Sequence, residues 1–423
     1  MMSVKELNPE LQSNLPGVSI ETGFDTNDLV VNIGPQHPST HGVLRLVTTL
    51  NGEVVKEMEP VIGYLHRSKE KMGESRSLFQ YQPTIDRVEY LSSFYDHLVF
   101  VNCIEQIADI PVPKRVEYIR VICLELNRIT SHLLWFGTFL LDLGASTPFF
   151  WCFRDREEVF TIFENLTGAR MMYNYFRFGG VNNDIPAGWL EEVRAFCNHF
   201  PDRLDEYEAV ATKNPIVMDR TKGHGIMSKE FCLKYGVTGP ALRATGEALD
   251  MRKTNPYSVY SELDFDVPTH TGCDTYARYL VRVQEMRESI KIIKQCIDKI
   301  PGGDGGALAI LKKEVEAKTK EAKKNPEIVV PHWDKDWDTM GKKINLLTYK
   351  PPAGEASNFV ESPRGVLGCY IITDGTPKAY RIKWRGASFS NLSALPELMK
   401  GHMYSDLMAI FGSLDVIMPE VDR

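Results

Sequence analysis

Clustered cysteines are missing from this chain. Its eight cysteines, Cys103, Cys123, Cys152, Cys197, Cys232, Cys273, Cys296 and Cys369, stand far apart and no Cys-x-x-Cys occurs. That spacing excludes the common zinc and iron–sulfur ligand sets, and the residues read as buried thiols in a reducing compartment. Positive charge is also in deficit. With 49 Lys and Arg against 56 Asp and Glu the net charge is -7, so no concentrated basic face is expected and no nucleic-acid partner. The longest uncharged apolar run, Ile129 to Leu141, falls short of the roughly 20 residues that cross a bilayer. Met1 to Asn27 has neither the apolar centre of a signal peptide nor the Arg-rich, acid-poor look of a transit peptide. The chain is therefore expected in the cytoplasm, reaching a membrane only through partners.

What is present suffices for a large core: 423 residues, 43% of them hydrophobic. The stretch that organises the chain is Gly34-Pro-Gln-His-Pro-Ser-Thr-His-Gly-Val-Leu-Arg45. Pro35 and Pro38 stiffen this loop, and Gly34 and Gly42 leave it open to close backbone approach. Such a loop holds His37 and His41 still while something flat comes near. The plain alternative is that both histidines cap turns. After it, Val43, Leu44, Leu46 and Val47 lead into Asn51-Gly52, a hairpin signal, and Val54, Val55 and Met58 continue the second strand.

Further along, Gly63 to Glu74 reads as the first turns of a helix ending before Pro83, and a second helix as running from Asp86 to Ala108. Arg115 to Gly144 is the strongest helix pattern, apolar nearly all round, which places it in the middle of a bundle. Arg128, His132, Thr138 and Asp142 on it are then costly unless paired. Thr138 and Asp142 share a face one turn apart. An Asp at a helix C-terminus is disfavoured by the macrodipole, so either a tertiary partner holds Asp142 or it begins a turn with Gly144. Helices are also expected over Pro148 to Gly168, from Pro186 to about Ala211, over Cys273 to Ile300 and over about Met403 to Phe411. A loop-rich segment is expected over Gly223 to Gly239, and a hairpin over Gly365 to Trp384. The divisions are 1–30, an N-terminal extension; 31–62, a β-hairpin region; 63–300, the helical core; 301–352, an exposed charged insertion; and 353–423, a C-terminal hairpin and tail. The fold class is mainly α, a central helical bundle flanked by small antiparallel sheets.

The motifs carry more than the pattern does. The His37/His41 loop, Gly63-Tyr-Leu-His-Arg67, Asp86-Arg-Val-Glu-Tyr90, Glu125-Leu-Asn-Arg-Ile-Thr-Ser-His-Leu133, Gly236-Val-Thr-Gly-Pro-Ala-Leu-Arg243, Asp264-Phe-Asp-Val-Pro268, Val360-Glu-Ser-Pro-Arg-Gly365 and Gly412-Ser-Leu-Asp415 resemble, in order, the 49-kDa subunit family of complex I, NADH:quinone oxidoreductase. That family is similar in turn to the large subunit of nickel–iron hydrogenases, whose metal is held by two Cys-x-x-Cys pairs. The corresponding positions here carry Glu89 and Ser92, and Ile417 and Glu420, which cannot replace soft thiolates around nickel.

The resemblance implies that His41 and Tyr90 hydrogen-bond the two carbonyl oxygens of a bound quinone. Asp142 would pair with His41, and Thr138 would lie in the quinone pocket. It places Arg67 and Arg87 beside the terminal iron–sulfur cluster of a neighbouring subunit, although on spacing alone each arginine reads as an ordinary ion pair. The implied partners are that iron–sulfur subunit, other peripheral-arm subunits and, at the quinone-site junction, membrane-arm subunits. Quinone is then a substrate, with no metal or cofactor held by this chain alone. The expected location is peripheral, on the cytoplasmic side of the bacterial inner membrane. Departures from the family pattern are Glu89 for the usual Asp, Ser68 for a Gly, Val416 where hydrogenases have Pro, and Met172 where many relatives have His. An energy-converting hydrogenase large subunit and a structural scaffold subunit are the competing readings.

Overall fold

The computed structural model describes residues 18–19, 28–35, 42–303 and 349–423. An antiparallel sheet opens the fold, with β1 (Val18–Ser19), β2 (Asp28–Ile33), β3 (Arg45–Asn51) and β4 (Val54–Val61) side by side in chain order. The β3–β4 hairpin forms where Asn51-Gly52 announces it. Asn51 pairs with Val54, so the two loop residues are Gly52, at φ 62, and Glu53. Ile33 pairs with Leu46, so the histidine loop joins β2 to β3, and Arg45 Nε tightens its base by donating to Asn32 Oδ1 at 2.9 Å. His37 and His41 themselves lie outside the described residues.

The longer helices that follow are α1 (Lys69–Ser75), α2 (Leu78–Ile85), α3 (Ser93–Ala108), α4 (Lys114–Asp142), α5 (Ser146–Thr167), α6 (Trp189–Ala211), α7 (Pro215–Thr221), α8 (Lys229–Tyr235) and α9 (Thr275–Lys299), with single turns at Pro240–Arg243 and Met251–Thr254 before α9. The two-residue strands β5 (Phe176–Arg177) and β6 (Gly180–Val181) lie between α5 and α6. Helix α4 is the axis. Ile119, Ile122, Leu126, Ile129, Leu133, Phe136 and Leu140 are buried around its circumference, and α3, α5 and α9 pack on it. It ends where Gly144 turns at φ 92, as its sequence suggests.

Two expected helices are corrected. The first divides, because residues 63–68 are not helical and the Ser77 hydroxyl accepts the Gln80 N–H to start α2, which contains Pro83. The second begins only at Ser93. Glu89 competes for the backbone there: its Oε1 accepts the N–H groups of Leu91 and Ser92 at 3.1 Å each, which bends residues 86–92 into a loop.

The C-terminal part adds β7 (Gly354–Ser362), β8 (Gly365–Thr373) and β9 (Ala379–Arg385), an antiparallel meander. It also adds α10 (Ala387–Met399), α11 (Leu407–Ser413) and α12 (Met418–Asp422). Strand β7 and helix α10 go beyond the expected hairpin, and α11 starts later than Met403. Most of the 301–352 insertion is outside the described residues. A second apolar core joins chain ends far apart in sequence: Ile33, Leu46, Leu50 and Val55 of the first sheet meet Leu392, Leu395 and Leu398 of α10. Among the described residues no helix is long and apolar enough to cross a membrane.

Candidate functional site

The loop over 86–92 positions Tyr90 by clamping the backbone on both sides of it. The Glu89 N–H donates to Asp96 Oδ2 at 2.7 Å. Asn127 Nδ2 donates to Leu91 O at 2.9 Å and Asn127 Oδ1 accepts the Phe94 N–H at 3.3 Å, tying the loop to α4. Tyr90 is half-buried on this frame. Burial raises its pKa above the ordinary phenol value, and the nearby Arg364 charge pulls the other way. The phenol is a hydrogen-bond donor at neutral pH.

Arg364, fully buried, sits behind this loop. Its Nη1 donates to Ser131 Oγ at 3.0 Å and lies 3.1 Å from Glu89 Oε1, while Nη2 donates to Asp415 Oδ1 at 3.2 Å. Burial alone would lower the Arg364 pKa, but the Asp415, Glu89 and Glu420 carboxylates together raise it. Glu89 goes the other way. Burial pushes its carboxyl up to about 7, Arg364 offsets part of that, and the charges of Glu420 and Asp415 add to it. Asp415, buried beside it, holds a left-handed backbone at φ 52, a conformation uncommon outside glycine.

The four positions that the resemblance sets against hydrogenase metal ligands lie in two adjoining segments, Glu89 and Ser92 on the Tyr90 loop and Ile417 and Glu420 at α12. They do not fit nickel. Glu89 is engaged by two backbone N–H groups and Arg364. Glu420 Oε1 accepts the Ala387 N–H at 2.7 Å, and its Oε2 accepts the Ser388 N–H at 3.2 Å together with the Ser388 hydroxyl. Ser388 Oγ also accepts the Ile417 N–H at 3.1 Å. No thiolate is offered, and the carboxylates are committed to donors of the fold.

Arg67 and Arg87, twenty residues apart, come together. Arg67 Nη2 donates to the Arg87 carbonyl, and burial together with the Arg87 charge lowers the Arg67 pKa. Asp422 fixes the Arg67 loop from the far end of the chain by accepting the N–H groups of Gly63 at 2.8 Å and Leu65 at 2.7 Å. Lys69 completes the patch and was missed from the sequence. Its ammonium donates to Thr84 O at 2.8 Å, and burial, then Arg67 and Arg87, press its pKa down to about 8. A third basic residue two positions after His-Arg was the available signal.

Asp142 is the exposed last residue of α4. Thr138, also exposed, turns its hydroxyl back to Leu134 O at 2.9 Å and Trp135 O at 3.2 Å, so its proton serves its own helix. Met172 has a left-handed backbone at φ 60. The structure therefore joins Tyr90 to Arg364 and Arg67 to Arg87, and leaves Thr138 and Asp142 together at one end of the axial helix.

Residues 142–423 match the family described as respiratory-chain NADH dehydrogenase, 49 Kd subunit. An NAD(P)H-quinone oxidoreductase subunit of Gloeobacter violaceus is 48% identical over 396 residues, covering 93% of this chain and 98% of that protein. Its counterpart from Thermosynechococcus vestitus is 48% identical over 400 residues, 94% of this chain and 98% of its own. The chloroplastic counterpart from Zea mays is 47% identical over 396 residues, 93% and 98%. With the family's region spanning two thirds of the chain and near-complete alignment to these relatives, the chain belongs to the family of the 49-kDa subunit of respiratory-chain NADH dehydrogenase, complex I.

Proposed function

We propose that this chain works within an NADH:quinone oxidoreductase as the peripheral subunit that forms the quinone-reducing site with a neighbouring iron–sulfur subunit, on the cytoplasmic side of the membrane. The observation that carries the reading is the Tyr90 phenol, kept protonated and half open on a rigid loop beside the buried Arg364 cation. Reducing a quinone to a quinol takes two electrons and two protons, and negative charge develops on two opposed oxygens. A donor at each end stabilises that charge as it forms. Tyr90 supplies one donor and His41 the other. Asp142, at a helix end where the macrodipole disfavours a carboxylate, pairs with His41 and favours its cationic form. Proton loss from His41 weakens that pair and passes an electrostatic change toward the membrane subunits. Thr138, one turn away, borders the same pocket. Arg67, Arg87 and Lys69 gather positive charge that favours the reduced form of a partner's cluster.

The test uses the assembled complex. Tyr90→Phe and His41→Ala are each expected to lower NADH:quinone turnover by at least about 100-fold, the scale of a lost general acid, with NADH:ferricyanide electron transfer unchanged. Wild-type quinone turnover in Tyr90→Phe would overturn the reading. An Asp142→Asn complex that pumps its full complement of protons per electron would remove the coupling step alone.

A further inference from the structure

A second cluster of ligand-type side chains plays no part in the proposed reaction. His224 lies in the turn after α7, His402 in the turn after α10, and Asp406 just before α11. They present one ligand atom each within 4.8 Å of one another. His224 Nδ1 is 3.6 Å from Asp406 Oδ2, and the two imidazole centroids are 6.1 Å apart.

We propose that His224, His402 and Asp406 bind one divalent transition-metal ion of zinc's class, with water completing the coordination. Two imidazole nitrogens and one carboxylate oxygen form a borderline set that suits zinc, whereas calcium and magnesium call for oxygen ligands. Tetrahedral bonds of about 2.0–2.1 Å put ligand atoms about 3.3 Å apart, so the His224–Asp406 spacing needs only a small contraction. His402, on a surface turn, supplies the larger movement.

Three observations point to a ligand. The buried Nδ1 of His224 has no hydrogen-bond partner, a deficit that ordinarily costs stability and that an ion would fill. Asp406 is 4% exposed, a burial at which a carboxylate calls for cationic partners, and Arg220 stands on its Oδ1 side. Its two oxygens are divided in the manner of a metal ligand with outer support: Oδ1 lies 3.4 Å from Arg220 Nη1, while Oδ2, which accepts the Met403 N–H at 3.3 Å, faces His224. The backbone is prepared as well. The His224 carbonyl accepts both the N–H and the hydroxyl of Thr275, at 3.0 and 3.1 Å.

The ion would brace the 223–227 turn against the segment that leads to Asp415. Arg278 already spans that gap, donating to Gly225 O and Ser413 Oγ at 2.9 Å each. The experiment strips the purified assembled complex with a chelator, re-equilibrates it with zinc sulfate and counts zinc per complex. Zinc held by partner subunits is common to every preparation and cancels. Wild type is expected to hold one equivalent more than either His224→Ala or His402→Gln, and Asp406→Asn to weaken that equivalent by at least about tenfold. His224→Ala changes a turn side chain that is 32% exposed and is expected to leave assembly intact; His402→Gln is the independent check. Equal zinc in wild type and both histidine variants would overturn the site and leave a simple His224–Asp406 ion pair.

Discussion

Glu89 shows what a single carboxylate does when the fold surrounds it. It accepts two N–H groups and touches Arg364, yet burial with Glu420 and Asp415 nearby holds its pKa near 7 in place of the ordinary 4.5. Between those values the folded chain binds a proton that the unfolded chain releases. The stability this group contributes is therefore fully present below about pH 4.5 and is lost as pH rises through about 7, by up to about 3 kcal/mol. Glutamine keeps the neutral shape and does not titrate. Urea midpoints of the full chain should accordingly show Glu89→Gln close to wild type at pH 5 and more stable at pH 8; a difference that does not change with pH would refute the assignment. The carboxylate was legible in the sequence as a departure at a ligand position. Its partner Arg364 was legible only as part of a motif, because no spacing links residues 275 positions apart.

At the scale of elements, Arg364 is placed by two backbones that cross with nothing between them. Gly239 has φ 69, and a Cβ there would stand 2.4 Å from Gly365 Cα and 2.7 Å from Arg364 O; Gly365 has φ 136, and its Cβ would meet Thr238 Oγ1 at 2.5 Å. Both glycines are required twice, by conformation and by space. Gly365→Ala should destabilise the chain by about 3 kcal/mol, read as a lower urea midpoint, and should shift Arg364 and lower quinone turnover along with it. A variant with wild-type stability would contradict the crossing. The sequence announced the long helices and the two hairpins because periodicity and turn residues are local signals. It failed where a side chain competes with the pattern for the backbone, as Glu89 does at residues 86–92. It failed again at β7, whose Glu355, Ser357 and Asn358 are weak strand formers that β8 pairs nonetheless.

Across the whole molecule, the helical core is pinned by charge as well as by apolar packing. Arg243 Nη2 donates to Glu285 Oε1 at 2.6 Å, and its Nη1 to Glu361 Oε1 at 2.7 Å. Glu285 also holds His132 Nε2 at 2.8 Å. Glu125 engages Arg252, Tyr260 and Ser289, and Arg128 donates to the Glu361 carbonyl at 2.6 Å. Arg128 and His132 on α4 need partners, and helical spacing supplies one of them, Glu125 Oε2, 3.3 Å from Arg128 Nε; the others come from α9 and β7, more than 150 residues onward, where helical spacing says nothing. The network fixes which elements meet, since each charge is tolerated only with its partners present. Removing Arg243 takes from Glu285 and Glu361 the guanidinium they share, so Arg243→Met should cost about 3–5 kcal/mol. The double variant Arg243→Met with Glu285→Met should regain part of the summed loss, because the two sites share one interaction. Urea unfolding of both single variants, the double variant and the wild type decides it: a double variant that loses the sum of both single losses would mean that Arg243 and Glu285 are not coupled.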